Sequence, residues 1–176
     1  MIAALYLAYL LWLTAGWADF RCHRRTDLAH TSGLRESSLH LLQLALIGGG
    51  TILALTFELG RAPLLALAAL VAAHAWVGYR DTCSAYGRRD LRPIEQHLHS
   101  VLDAAPVAAW TIAVVGYGAD DGDWGWRPRR PPLPPAGWMA VLAPALLLCV
   151  WPALSEFRSA WRARRAHADP KRGGDG

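Results

Sequence analysis

The chain has 176 residues, 53% of them hydrophobic and only 18% charged, with a mean hydropathy of +0.17. Soluble domains carry about 25% charged residues, so this chain is short of charge, and its charges are gathered into blocks between apolar stretches of membrane-span length. Intrinsic disorder, collagen, a disulfide scaffold and a nucleic-acid-binding domain fall away with that pattern, despite a formal charge of +4.

In chain order the apolar stretches predict five transmembrane helices, over residues 2–18, 39–59, 62–79, 98–118 and 137–157, and hence an all-α integral membrane bundle. Residues 1–118 form a four-helix membrane core, 119–136 a Pro-rich loop, 137–157 the fifth span and 158–176 a basic tail. No charge precedes Asp19, so the first apolar run reads as a span and not as a signal peptide. Every Arg and Lys lies outside the apolar middles. The first loop carries Arg21, Arg24, Arg25 and Arg35, the third Arg80, Arg88, Arg89 and Arg92, and the tail Arg158, Arg162, Arg164, Arg165, Lys171 and Arg172. The intervening loops hold Arg61 and then Arg127, Arg129 and Arg130, these last three beside Asp120, Asp121 and Asp123. Fourteen cations on one side against four on the other predict an outside amino terminus and a cytoplasmic carboxyl terminus.

The three cysteines, Cys22, Cys83 and Cys149, are odd in number and are expected to stay thiols. The loop with Trp-Gly-Trp and Arg-Pro-Arg-Arg-Pro-Pro-Leu-Pro-Pro reads as a stiff, polyproline-like connector. Gly48, Gly49 and Gly50 read as a packing face. The tail, with aromatic and apolar residues among its arginines, is expected to lie on the anionic inner leaflet.

Six of the seven histidines lie between His23 and His99, all at the cytoplasmic ends of spans or in the cytoplasmic loops of this topology. Asp19 and His23, Glu36 and His40, and Glu95 and His99 are each four residues apart, and His74 and Asp81 are seven apart, so each pair shares a helix face. Singly such a pair is commonly a cap or an interfacial salt bridge. Four helices each offering a carboxylate and an imidazole at one side of the membrane read as one metal site, the arrangement by which bundles hold two ions between facing helices. Carboxylates neutralise and bridge cations while imidazoles supply borderline nitrogen donors. The predicted ligand set is Asp19, His23, Glu36, His40, His74, Asp81, Glu95, His97 and His99 around two transition-metal ions, iron favoured, manganese or zinc as alternatives. Asp103, one turn beyond His99, is the expected general acid or base. Arg24, Arg88, Arg89 and Arg92 are topogenic or, in a sharper reading, grip a phosphate headgroup.

The motifs Asp-Phe-Arg-Cys-His-Arg-Arg, Thr-Ser-Gly-Leu-Arg-Glu-Ser-Ser-Leu-His and Pro-Ile-Glu-Gln-His-Leu-His-Ser resemble those of an uncharacterised family of small bacterial membrane proteins. That resemblance implies a multi-pass protein of the bacterial inner membrane. The diguanylate cyclase label that some members carry has no support in the terminal Gly173-Gly174-Asp175-Gly176, which lacks a surrounding soluble domain. More loosely, the clustered cytoplasmic histidines resemble membrane-embedded di-iron hydroxylases and desaturases, although the pairs here are acid plus histidine and not histidine boxes. The leading expectation is a membrane metalloprotein oxidising a lipid or other apolar substrate. Alternatives are a metal-dependent lipid hydrolase, a transporter, and a haem-binding subunit using His40 and His99.

Overall fold

The structure, a computed structural model, describes residues 2–117 and 124–168. Asp120, Asp121, Asp123, Lys171, Arg172 and the terminal Gly-Gly-Asp-Gly lie outside the described residues. The described chain is helical, without a strand: α1 (Ile2–Arg25), a 3-10 turn (Leu28–His30), α2 (Gly33–Thr56), α3 (Arg61–Ala85), α4 (Pro93–Tyr117), α5 (Pro135–Ala145), a π-helical turn (Leu146–Val150) and α6 (Trp151–Ala168). Five helices are long and apolar enough to cross a membrane, the fifth being the continuous rod Pro135–Ala168, so the chain is a multi-pass membrane protein.

The helices close into a ring in which α1 packs on α4, α4 on α3, α3 on α2, α2 on α6 and α6 back on α1. In lipid there is little hydrophobic drive between helices, so small residues and polar contacts decide the packing. Gly50 faces Leu67 and Leu70 of α3 and lets those two helices approach, whereas a side chain at Gly48 or Gly49 would meet nothing within 4 Å. Only the last of the three glycines therefore serves the predicted packing role. The α1–α5 contact has a different cause. Pro144 has no N–H, so the carbonyl of Ala140 four residues earlier loses its helical donor. The Tyr6 hydroxyl donates to that oxygen at 3.0 Å and the Tyr9 hydroxyl to the next, Val141, at 2.7 Å.

At the arginine-rich end the helices outrun the apolar segments. α1 continues to Arg25, α2 starts at Gly33, α3 continues to Ala85 and α4 starts at Pro93, where the missing N–H of a proline is harmless. The acid and histidine pairs lie on these extensions. The fifth rod also passes its apolar segment: Glu156, Ala160 and Ala163 are buried, with α6 packed on α2 and the 3-10 turn. The first part of the basic tail continues this helix to Ala168, with Ala160 and Ala163 packed inward and residues 164–168 exposed.

At the opposite end the Pro-rich loop is docked and not a free connector. The Arg129 guanidinium donates to the carbonyls of Leu55 and Ala54, and its backbone N–H to Thr56 at 2.8 Å, satisfying the last acceptors of α2. Trp126 packs edge-on against Phe57 with ring centres 5.2 Å apart.

Candidate metal centre

Five helix segments bring their polar groups to one place. Asp19 and His23 come from the end of α1, Glu36 and His40 from the start of α2, Asp81 from the end of α3, Glu95 and His99 from the start of α4, and Glu156 from α6. His23, Glu36 and Glu95 are 0% exposed. The i,i+4 spacing acts as expected: on each of α1, α2 and α4 it turns the acid and the imidazole to the same side.

Two groups of ligand atoms converge, each within 4.8 Å of one another: Asp19, His23, Glu95 and His99, and His23, Glu36 and His40. In the first, His23 Nε2 lies 3.3 Å from Asp19 Oδ2 and 3.3 Å from Glu95 Oε1, while His99 Nε2 lies 3.3 Å from Asp19 Oδ1. These are ion-pair distances without hydrogen bonds, and His23 Nε2, Asp19 Oδ1 and Glu95 Oε2 have no hydrogen-bond partner among the described residues. Metal–ligand bonds of about 2.0–2.1 Å in a tetrahedral site set neighbouring donor atoms roughly 3.3–3.4 Å apart.

Glu156 stands behind both imidazoles of the pair His23 and His40. It accepts from His23 Nδ1 at 2.9 Å and from His40 Nδ1 at 2.7 Å. The two rings stack with centres 4.6 Å apart and planes 7° from parallel, with Phe20 edge-on to both. A carboxylate on Nδ1–H fixes the tautomer and leaves Nε2 of a neutral ring as a lone pair, the usual support of a metal-bound histidine. Lone pairs facing carboxylate oxygens call for a cation between them. His40 differs from His23: its Nε2 is hydrogen-bonded to Asp81 Oδ2 at 3.2 Å, so both of its ring nitrogens meet carboxylates.

Arg89 closes the site from the α3–α4 loop. Its Nε lies 3.1 and 3.2 Å from the two oxygens of Glu36, its Nη2 donates to Glu36 at 2.5 Å and to Glu95, and its Nη1 donates to Thr26 Oγ1 at 3.1 Å. Burial pulls its pKa down, but the hydrogen bonds to Glu95 and Glu36 outweigh that and hold it above the ordinary arginine value. A guanidinium whose fork is filled by two carboxylates is not available to a headgroup, and that correction applies to Arg89. Arg24, Arg88 and Arg92 are exposed, outside the cluster.

Two predicted ligands stand elsewhere. His74 belongs to neither converging group: seven residues along α3 from Asp81 is a rise of about 10 Å, too far for a shared ion although the face is the same. It is buried, without a hydrogen bond or ion pair among the described residues, and lines a part-enclosed cavity of about 140 Å³ together with Asp19, Phe20 and His40. His97 is exposed, as its spacing of two from both Glu95 and His99 dictates on a helix. Asp103 is half-buried against Gly78, where an added Cβ would come within 2.7 Å of its Oδ1.

Glu156 is the residue that the reading of the sequence missed. Its signal was an acid within Trp-Pro-Ala-Leu-Ser-Glu-Phe at the end of an apolar span, the kind of position that marks a functional group by default. No histidine stands within four residues of it, so pair spacing passed over it. Comparisons with known protein families, with curated proteins and with solved structures find no match, and the site stands on its own chemistry.

Proposed function

We propose that this chain is a membrane metalloprotein whose centre holds two divalent transition-metal ions, one among Asp19, His23, Glu95 and His99 and one beside Glu36 and His40. The carrying observation is the His23 ring, with Nδ1–H spent on Glu156 and Nε2 set 3.3 Å from two carboxylate oxygens without a hydrogen bond. Charge supports it. Asp19, Glu36, Asp81, Glu95 and Glu156 are buried with one guanidinium, Arg89, so these acids outnumber that cation by four, an excess that calls for further positive charge from metal ions or imidazolium rings. The mixed nitrogen and oxygen donors suit iron first, then manganese or zinc. Carboxylates crowd the His23, His40 and His99 rings, which favours ions over haem.

The reaction we propose is oxidation, hydroxylation or desaturation, of a lipid reaching the centre from the bilayer. Iron would supply activation of dioxygen, the co-substrate, there, with two electrons and two protons from a separate reductant completing its reduction to water. The chain's own contribution is to hold the imidazoles through Glu156, to fix Glu36 and Glu95 with Arg89, and to keep water out with Phe20 and the apolar cavity walls. By the arginine asymmetry the centre faces the cytoplasm of a bacterial cell, at its inner membrane. Exposed Cys83, near the same end, checks this: a membrane-impermeant maleimide should leave it unlabelled in intact cells.

The test of the activity is the lipid extract of cells expressing the protein or its His23→Ala variant. The reading expects lipids that have gained an oxygen atom or lost two hydrogens, absent with the variant. Free acyl chains or released headgroups instead would replace oxidation by hydrolysis.

A further inference from the structure

The cavity beside the cluster is a second feature with its own chemistry. Its floor is Asp19, His40 and His74, and from there it runs between α1, α2 and the π-helical turn past Leu44, Ile47 and Gly48 to Tyr9 and Thr51. Ten residues of helix separate Asp19 from Tyr9, about 15 Å, so a volume of about 140 Å³ is drawn out into the shape of a single chain. Gly48 lines the passage, and a Cβ added there would meet nothing within 4 Å, so a large side chain at this position has room to extend into it. The π-helical turn bounds the far wall through Cys149 and Val150, and such turns recur beside functional sites.

The polar content of the lining is selective. No Arg or Lys lines the cavity, and the one acid, Asp19, is already engaged by His23 and His99. Beyond that floor a phosphate or carboxylate would lie between mostly apolar walls with no charged side chain to receive it, at a large desolvation cost. His74, by contrast, is 4% exposed, has no hydrogen bond or ion pair of its own, and lines the space. A buried imidazole without a partner is an unmade hydrogen bond, and an uncharged oxygen completes it.

We propose that the cavity binds an uncharged lipid, its carbonyl or hydroxyl oxygen against His74 and its hydrocarbon chain along α1 and α2 toward Tyr9 and Thr51. As the substrate of the centre described above it rests on that reading; as a ligand of the cavity it stands on the lining alone. His74 is then a substrate-binding residue and not a metal ligand.

The experiment uses the full chain in detergent, photolabelled with hexadecanol carrying a mid-chain diazirine, with label sites mapped by mass spectrometry and metal measured on the same samples. Label should fall on Leu44, Ile47 and Thr51 and be displaced by plain hexadecanol or a short-tailed quinone but not by palmitate; whichever competes better distinguishes hydroxyl from carbonyl lipids. Gly48→Phe should abolish it, His74→Leu should weaken probe binding up to about tenfold, and Gly49→Phe, which faces away from the cavity, should leave it unchanged. All three variants should keep the wild-type metal content. Labelling unaltered by Gly48→Phe, or displaced equally by palmitate, overturns the proposal, and metal lost in His74→Leu returns that histidine to the ligand set. A wild type labelled at these positions but free of metal removes the metal centre and leaves the lipid site standing.

Discussion

Arg89 and Arg129 stand at the two ends of α2, against Glu36 in its first turn and Ala54 and Leu55 in its last, about 27 Å apart along the helix. Both guanidinium forks are filled, but by different partners. Arg129 reaches backbone carbonyls that every helix end leaves open, so its task is local and would be the same on any helix. Arg89 reaches two carboxylates from different helices, and those carboxylates belong to the set around His23. The contrast separates an end of the bundle that is merely finished from an end that is kept charged. At the first the side chain answers a need of the backbone; at the second the protein maintains five buried acids that folding alone does not require.

Substitutions break or sharpen that contrast. The largest effect is expected for His23→Ala, because His23 is common to both converging groups: both metal equivalents should be lost, measured by elemental analysis of the purified protein. Next is Arg89→Met, which leaves Glu36 and Glu95 buried without their cation. Removing one partner of a buried pair costs about 3–5 kcal/mol, seen as a lowered midpoint of thermal unfolding in detergent, with Arg89→Lys recovering only part because one ammonium cannot fill the fork. Glu156→Gln keeps the shape but presents an amide N–H to one of two imidazole N–H groups. Loss of such a support weakens metal affinity about 10–100-fold, read by competition with a chelator. The smallest is Arg129→Ala, expected to cost about 1 kcal/mol of stability with metal content unchanged. Equal metal loss in Arg129→Ala and Glu156→Gln would erase the distinction between the two ends.

The legibility of the sequence follows the same division. Hydropathy showed five membrane-crossing helices because a span is a local property, and the i,i+4 pairs put Asp19 with His23, Glu36 with His40 and Glu95 with His99 because one turn of helix is short enough to bring both groups together. The reach of that reasoning is one turn. At His74 the face was right but two turns of rise carried the ring away from Asp81 and into the cavity. Glu156 and Arg89 join the centre through the closing of the ring, α6 against α1 and α2 and the α3–α4 loop against α1 and α2. No spacing within one helix carries that information. The π-helical turn likewise sits between Pro144 and Pro152; the missing N–H of Pro144 was visible in the sequence, while its consequence, the Tyr6 hydroxyl supplying the lost donor to Ala140, required the partner helix.

The most direct measurement is the metal content and ligand environment of the wild-type protein purified from membranes, by elemental analysis with X-ray absorption at the edge of whichever metal is found. About two equivalents of transition metal are expected, bound by nitrogen and oxygen donors at about 2.0–2.2 Å without sulfur. A folded, monodisperse protein that carries no metal and takes up none on addition of iron, manganese or zinc would contradict the account, leaving the buried histidines and carboxylates as a network of ion pairs.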